Sequence, residues 1–258
     1  MKDKLQFIVG TSGYSFKDWV GTFYPPDTQQ RDMFKQYVQH FKTAEINFTY
    51  YRLPNARTIG AIAAKSPDDF TFWVKANQAT THRRDRSVAG RFIEGIEPMQ
   101  AAGKLAGVLL QFPQSFHRTA ENRKYLADVI EDFAGVPLAV EFRQNSWQHE
   151  STLDGLRERN VTLVIPDVPD ITSLFHHSAA ATSRTGYLRL HSRDGGKWYA
   201  GGAERYDYNY SQEQMKALIA DWNELAGAVD KVYAFFNNCH GGQAAHNAEA
   251  FAKLIEKM

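Results

Sequence analysis

Three apolar runs end in polar couples spaced two residues apart: Glu45-Ile46-Asn47, Glu141-Phe142-Arg143 and Arg189-Leu190-His191. Side chains of a strand alternate between its faces, so each couple sets two polar groups on one face. Strands covered on both sides are expected to be apolar almost throughout. The exceptions fall at the C-terminal ends of the runs, where parallel α/β proteins usually carry their chemistry.

Other strand ends add to the set. Thr11 and Ser12 follow the first run, Lys75 ends the third and Gln111 the fourth. Asp167 follows the sixth, and Asn237 and Asn238 end the eighth. Glu45 and Glu141 are candidate acid–base groups, with His191 as a third. Arg143 and Arg189 carry planar forks suited to carboxylate or phosphate. Lys75 has two readings: a desolvated amine that forms a Schiff base, or a charged anion ligand, which neighbouring carboxylates favour. A structural alternative is a buried network in which Glu141 neutralises Arg143, or Glu45 neutralises Lys75. Desolvation makes such a network weak evidence for stability.

No paired-cysteine, H-x-H or H-E-x-x-H spacing marks a metal site, although Glu45, Glu141, Asp167, His82 and His191 have ligating side chains. Cys239-His240 resembles a nucleophile–base pair in composition only, since neighbours on a strand end point apart. The His176-His177 pair reads as surface loop. His82-Arg83-Arg84-Asp85-Arg86 is the one concentrated basic stretch, either a solvated loop or a recruiter of phosphate-bearing ligands. Trp73, Trp147, Trp198 and Tyr199 lie near strand ends and have faces on which a sugar or base ring can stack. Trp73 shares the parity of Lys75, so barrel filling is its other reading.

These positions need a frame. Strands are expected over Leu5 to Gly10, Ala44 to Asn47, Phe70 to Lys75, Leu105 to Gln111, Val136 to Arg143, Val161 to Ile165, Tyr187 to His191 and Val232 to Asn237. Helical spacing is expected over Arg31 to Phe41, where Met33, Phe34, Tyr37, Val38 and Phe41 make one apolar face. Further helices are expected from an Asn55 cap to Lys65, from Ser87 to Ala102, Thr119 to Phe133 and Ser151 to Arg159. The helix after the sixth strand is short or poorly marked. Ser211-Gln212-Glu213-Gln214 has capping-box form, and a last helix ends the chain. Eight β–α alternations imply a TIM-like (β/α)8 barrel, a single domain over residues 1–258. A doubly wound sheet is the alternative, but Gly10-Thr11-Ser12-Gly13 lacks the G-x-G-x-x-G spacing.

The chain has 258 residues, 43% of them hydrophobic, enough for a sizeable core. A net charge of +1 gives no global argument for nucleic acid or an anionic membrane. A single cysteine excludes an internal disulfide and fits a reducing compartment. No apolar stretch approaches the roughly 18 residues of a membrane span, and Met1-Lys2-Asp3-Lys4 leads straight into a strand rather than a signal core. A cytoplasmic protein is expected.

The motifs together resemble the YecE-like family, also called domain of unknown function 72. Gly10-Thr11-Ser12-Gly13-Tyr14 resembles its opening. Glu45-Ile46-Asn47 with Tyr51-Arg52-Leu53-Pro54, Val74-Lys75-Ala76 with Thr81-His82, and Gln111-Phe112-Pro113 continue it in order. Glu141-Phe142-Arg143 with Ser146-Trp147, Leu188-Arg189-Leu190-His191, and Phe236-Asn237-Asn238 with Gly241-Gly242 and Asn247-Ala248 complete it. Phe48 stands where a small hydroxyl residue is expected, and Asn77-Gln78 replaces a proline-containing turn. The resemblance implies a TIM-barrel-like fold and no particular reaction; it also singles out His82.

The expectation is an enzyme acting on a small anionic or polyhydroxylated substrate, phosphorylated ones included, at the barrel mouth. Glu45, Glu141 and His191 would be catalytic. Thr11, Ser12, Asn47, Lys75, His82, Gln111, Arg143, Trp147, Arg189, Asn237 and Asn238 would bind substrate. Hydrolase, isomerase and lyase chemistry are not distinguished, and no cofactor can be named. The alternatives are a nucleic-acid-directed protein such as a nuclease, and a non-catalytic ligand-binding barrel.

Overall fold

The computed structural model describes residues 5–176, 180–200, 202 and 204–257. Its strands are β1 (Gln6–Thr11), β2 (Thr43–Ile46), β3 (Thr71–Lys75), β4 (Leu105–Gln111), β5 (Leu138–Glu141), β6 (Thr162–Asp167), β7 (Thr185–Leu190) and β8 (Lys231–Phe236). All pair in parallel in the order β1-β8-β7-β6-β5-β4-β3-β2. Helices α1 (Met33–Tyr37), α2 (Phe48–Tyr51), α3 (Ala56–Lys65), α4 (Gln78–Thr81), α5 (Ala89–Ala101), α6 (Ala120–Asp132), α7 (Glu150–Glu158), α8 (Gln212–Asn223) and α9 (Gln243–Lys257) lie between and after the strands. This is the expected (β/α)8 barrel. No helix is long and apolar enough to cross a membrane among the described residues.

The β1–β2 seam closes differently from the other junctions. The two strands share one parallel bridge, Ser12 with Glu45, and Gly13 N–H donates to Glu45 O at 2.9 Å. Below it the Tyr37 hydroxyl accepts from Thr11 N–H at 2.9 Å and donates to Thr43 O at 2.9 Å. A side chain from α1 thereby replaces a rung of backbone ladder. Gly10 permits the close approach, since a Cβ there would sit 2.4 Å from Thr43 O.

Strand parity sorts the barrel into layers. Trp73, Leu109, Ala139, Val164, Tyr187, Tyr233 and Phe235 form an interior apolar cluster, with Ile8 packed against it. Trp73 therefore fills the barrel, as its shared parity with Lys75 allowed. Gly107 makes room for it: an added Cβ would meet the indole at 2.5 Å. Two residues further along the same faces come Lys75, Gln111, Glu141, Arg189 and Asn237, so each strand passes from apolar filling to polar mouth. A separate, larger core lies between sheet and helices.

Local chemistry explains several element ends. Asn55 caps α3 by accepting from Thr58 N–H, Thr119 caps α6 through Asn122 N–H, and Ser211 and Gln214 form the expected capping box of α8. Asn77 caps the unexpected α4, its Oδ1 accepting from Ala79 N–H while its Nδ2 donates to Thr49 O. The Arg31 to Phe41 segment is only partly α-helical, because a 3-10 turn over Gln30–Asp32 precedes α1. At the end of α3 the Lys104 ammonium donates to Ala63 O, Ser66 O, Ser66 Oγ and Pro67 O at 2.7–3.0 Å. The cation sits at the negative end of the helix, where it adds to the Ser66 N–H and Oγ that also reach Ala63 O. Between β6 and β7 no helix occurs among the described residues; His177 lies outside them.

Candidate active site

The C-terminal ends of the strands enclose a cavity of about 580 Å³. Ser12, Asn47, Lys75, His82, Gln111, Arg143, Arg189 and Asn237 all line it. Glu45, Glu141 and His191 lie fully buried directly against these groups. Residues from seven separate segments of sequence thus meet at one mouth.

Three expected binding residues lie elsewhere. Thr11 and Asn238 have the opposite parity to Ser12 and Asn237, and so point out of the barrel. Thr11 Oγ1 donates to Gly13 O, and Asn238 Nδ2 donates to Tyr208 O and Asn247 Oδ1. Trp147 stacks on Phe142 at 4.3 Å and Phe116 at 5.3 Å, with its indole N–H donating to Phe116 O. It is core, because Phe142 faces outward between the inward Glu141 and Arg143. Asp167 is set aside by the same parity rule: Val164 faces in, Asp167 faces out, and the carboxylate binds Arg193 and the Tyr210 hydroxyl.

Beneath the cavity runs a charge network. Arg189 Nε and Nη2 donate to the two oxygens of Glu45 at 2.8 and 2.6 Å, while Nη1 donates to Glu141 Oε2 at 2.6 Å. Tyr187 adds a 2.6 Å hydrogen bond to Glu45 Oε2. Arg143 Nε lies 2.5 Å from Glu141 Oε1, an ion contact not aligned as a hydrogen bond. Burial alone would raise both carboxyls. The Arg189 charge and its hydrogen bonds hold Glu45 below the usual range, and Arg143 with Arg189 hold Glu141 well below it. Two carboxylates therefore balance two guanidiniums.

His191 sits among three groups: its Nδ1 lies 2.9 Å from Asn237 Nδ2, and its Nε2 lies 3.1 Å from Arg143 Nη2 and 3.3 Å from Glu141 Oε1. Burial and the Arg143 charge push His191 down to about 3, against the pull of Glu141, so it is neutral near pH 7. His82, whose Nδ1 meets Thr81 Oγ1 at 2.9 Å, is pushed down to about 4 by burial and by Lys75 and Arg143.

Lys75 differs from its neighbours. Its Nζ stands 4.5 Å from the centroid of the Tyr50 ring, with no ion pair or hydrogen bond from the amine among the described residues. Burial and the Arg189 charge lower it to about 7, opposed by Glu141 and Glu45. The carboxylates expected to keep it charged are both engaged by arginine.

The rim is aromatic. Tyr51 and Tyr199 are the two large apolar side chains left exposed among the described residues, at 75% and 59%, and both border this cavity. Trp198 receives the guanidiniums of Arg143 at 5.5 Å and Arg205 at 5.2 Å over its ring. The segment after β7 crosses the mouth, where Tyr199 Oη accepts from Gln114 Nε2 at 3.1 Å. Tyr50, Gln114, Arg205 and Tyr206 were not anticipated from the sequence. Tyr50 adjoins Glu45-Ile46-Asn47 closely enough to be inferred; Arg205 and Tyr206 sit in a long connection without periodicity.

The sequence profile of the family described as protein of unknown function DUF72 matches residues 8–258. The chain belongs to the DUF72 family. The YecE-like resemblance is to the same family. This DUF72 protein is similar to the UPF0759 protein YunF of Bacillus subtilis, with 29% identity covering 96% of this chain and 94% of the relative. It is also similar to a crystal structure of a DUF72 family protein from Thermotoga maritima, with 39% identity, 97% and 99% coverage and a TM-score of 0.91. A DUF72 family protein from Enterococcus faecalis shares the fold, with 24% identity, 97% and 96% coverage and a TM-score of 0.87.

Elsewhere, a hollow of about 670 Å³ opens at the opposite end of the barrel, lined by Trp73, Pro137, Thr162 and Thr185 among others. Its charged lining is Glu131, Arg159 and Arg184, the last paired with Asp230. The basic segment is largely ion-paired: Arg84 binds Glu121, and Arg86 binds Asp128 and Asp132. Cys239 donates its thiol to Ser12 O at 3.6 Å, and burial raises it, while His240 is exposed. No nucleophile–base pair forms there.

Proposed function

We propose that this protein is an enzyme acting on a small anion-bearing molecule held at the C-terminal mouth. The observation that carries this reading is an amine, Lys75, presented to the cavity without an ionic partner among the described residues, with a guanidinium, Arg143, lining the same cavity. Arg143 is anchored from below by Glu141, from the side by Trp198 and through Nη2 at 3.1 Å from His191 Nε2, which fixes its guanidinium at the cavity wall. Asn47 Oδ1 is buried without a partner and offers an acceptor to a hydroxyl or amide of a ligand.

The roles differ from those expected of the sequence. Glu45 and Glu141, ionised and engaged, orient the arginines and stabilise positive charge. Lys75, which changes charge near neutral pH, takes the proton-transfer role, with neutral His82 as its companion in the cavity. The ion pairing of Arg84 and Arg86 removes most of the charge on which a nucleic-acid reading rested.

Calorimetric titration of the full chain with inorganic phosphate, pyruvate and glycerol phosphate tests the anion site. Binding that falls at least tenfold in Arg143→Gln supports it. A parent protein that binds none of the three at millimolar concentration overturns it.

A further inference from the structure

We propose that Lys75 is a nucleophile that forms an imine with the carbonyl carbon of an anion-bearing substrate, such as a 2-oxo acid or a phosphorylated aldehyde or ketone. This rests on the anion-site reading of the mouth and names its substrate class and chemistry.

A carboxylate at hydrogen-bond distance would hold the lysine in its charged form. Both nearby carboxylates are instead occupied: Glu45 by Arg189 and Tyr187, Glu141 by Arg189 and Arg143. Arg143 already supplies permanent positive charge to the cavity, and Arg189 supplies more behind it. Because Arg143 holds an anion whatever the charge of Lys75, the amine can shed its proton beside a bound substrate and act on a neighbouring carbonyl. Lys75 at about 7 holds a large neutral fraction at physiological pH. The aromatic face of Tyr50 can stabilise the cation without accepting a proton from it. Other nucleophiles at the mouth fit less well. The Cys239 thiol is raised by burial and bound to Ser12 O, and Ser12 Oγ faces Arg189 with no base beside it.

The step balances with one proton from solvent and no other reactant. The Nζ lone pair adds to the carbonyl carbon as the C=O π bond opens, and one nitrogen proton passes to that oxygen to give a carbinolamine. A proton from solvent then reaches the hydroxyl, the C–O bond breaks, water leaves, and nitrogen keeps its last proton in the C=N bond of an iminium. His82, a neutral ring lining the same cavity, is placed to relay the proton to the departing oxygen. The resulting iminium stands over two ionised carboxylates, which favour its positive charge. An iminium withdraws electrons from the adjacent carbon, the property that lyase and isomerase chemistry both require.

Borohydride reduction converts an imine to a secondary amine that survives peptide mapping. The full-length protein is incubated at pH 7.5 with pyruvate, glyoxylate or dihydroxyacetone phosphate, with and without sodium borohydride. The expected result is a probe- and borohydride-dependent mass gain on the Lys75 peptide, absent in Lys75→Met and Lys75→Arg. Mapping the adduct in the parent protein keeps the result independent of how those variants fold. If calorimetry shows a probe binding and borohydride fixes nothing on Lys75, the imine is overturned while the anion site stands. If none of these probes binds, the imine is overturned, and if inorganic phosphate and glycerol phosphate do not bind either, the anion site fails with it. Equal labelling of many surface lysines with no excess on Lys75 also overturns the imine.

Discussion

Arg189 and Glu45 meet side by side, with Nε and Nη2 on the two carboxylate oxygens at 2.8 and 2.6 Å, and both residues are buried. Arg189 spends its remaining nitrogen on Glu141. One guanidinium from β7 therefore ties β2 to β5 across the top of the barrel interior. Removing it leaves two buried carboxylates short of a partner. Arg189→Met is expected to cost about 3–5 kcal/mol, read by urea unfolding. Arg189→Lys should restore only part, because an ammonium cannot span both carboxylates with the same fork. A loss below about 1 kcal/mol, the range of exposed pairs, would show the network to be energetically idle.

Acid should destabilise the protein from a higher pH than carboxylates alone predict. His191 and His82 are held at about 3 and 4 in the folded chain, against an ordinary 6.5. As pH falls below 6.5 the unfolded chain takes up protons that the folded chain refuses, so stability drops. Each histidine contributes a slope of up to about 1.4 kcal/mol per pH unit within that window. Glu45 and Glu141, lowered in the folded state, add a loss below their ordinary 4.5. Unfolding midpoints measured between pH 7 and 4 should fall throughout. A flat profile from 6.5 to 5 would count against neutral buried histidines.

Much of this arrangement was legible in the sequence, and the reason is parity. Glu45, Lys75, Gln111, Glu141, Arg189 and Asn237 each continue the inward face of a strand, so alternation alone places them. Thr11, Asn238 and Asp167 were misplaced where adjacency to a strand end was allowed to stand for direction. Val164 and Tyr233 inside the barrel fix the phase that turns Asp167 and Asn238 outward. The charge states were not legible, since which carboxylate meets which cation depends on three-dimensional pairing. Nor was the Lys104 contact with the end of α3, which joins residues about forty apart by side-chain reach rather than by pattern.

Lys75→Met should stabilise the fold. Burial lowers the lysine from 10.5 to about 7. From the alkaline side, the unfolded chain binds a proton below 10.5 while the folded chain resists until about 7, so the native amine weakens stability across that interval. An apolar isostere removes the penalty, by about 1–2 kcal/mol at pH 7, the usual size of such gains at functional positions. Denaturation of the variant beside the parent checks it, and a loss of stability would mean that Lys75 serves the fold.

Tyr37→Phe should loosen the junction between the first two strands. It strands the Thr11 N–H and the Thr43 carbonyl, both buried, at about 1–3 kcal/mol for each group left unsatisfied. Amide exchange at Thr11 should accelerate far more than at Ala234, which lies in the continuous ladder of β8. Equal acceleration at both would place the effect in global stability instead.

The contact between Tyr199 and Gln114 crosses the mouth from the segment after β7 to the segment after β4. It touches neither Lys75 nor Arg143, so its influence falls on traffic rather than on recognition. A tie of this kind slows arrival and departure together. Severing it by Tyr199→Phe would shorten the residence time of an occupant and quicken its entry, leaving the equilibrium constant nearly where it was.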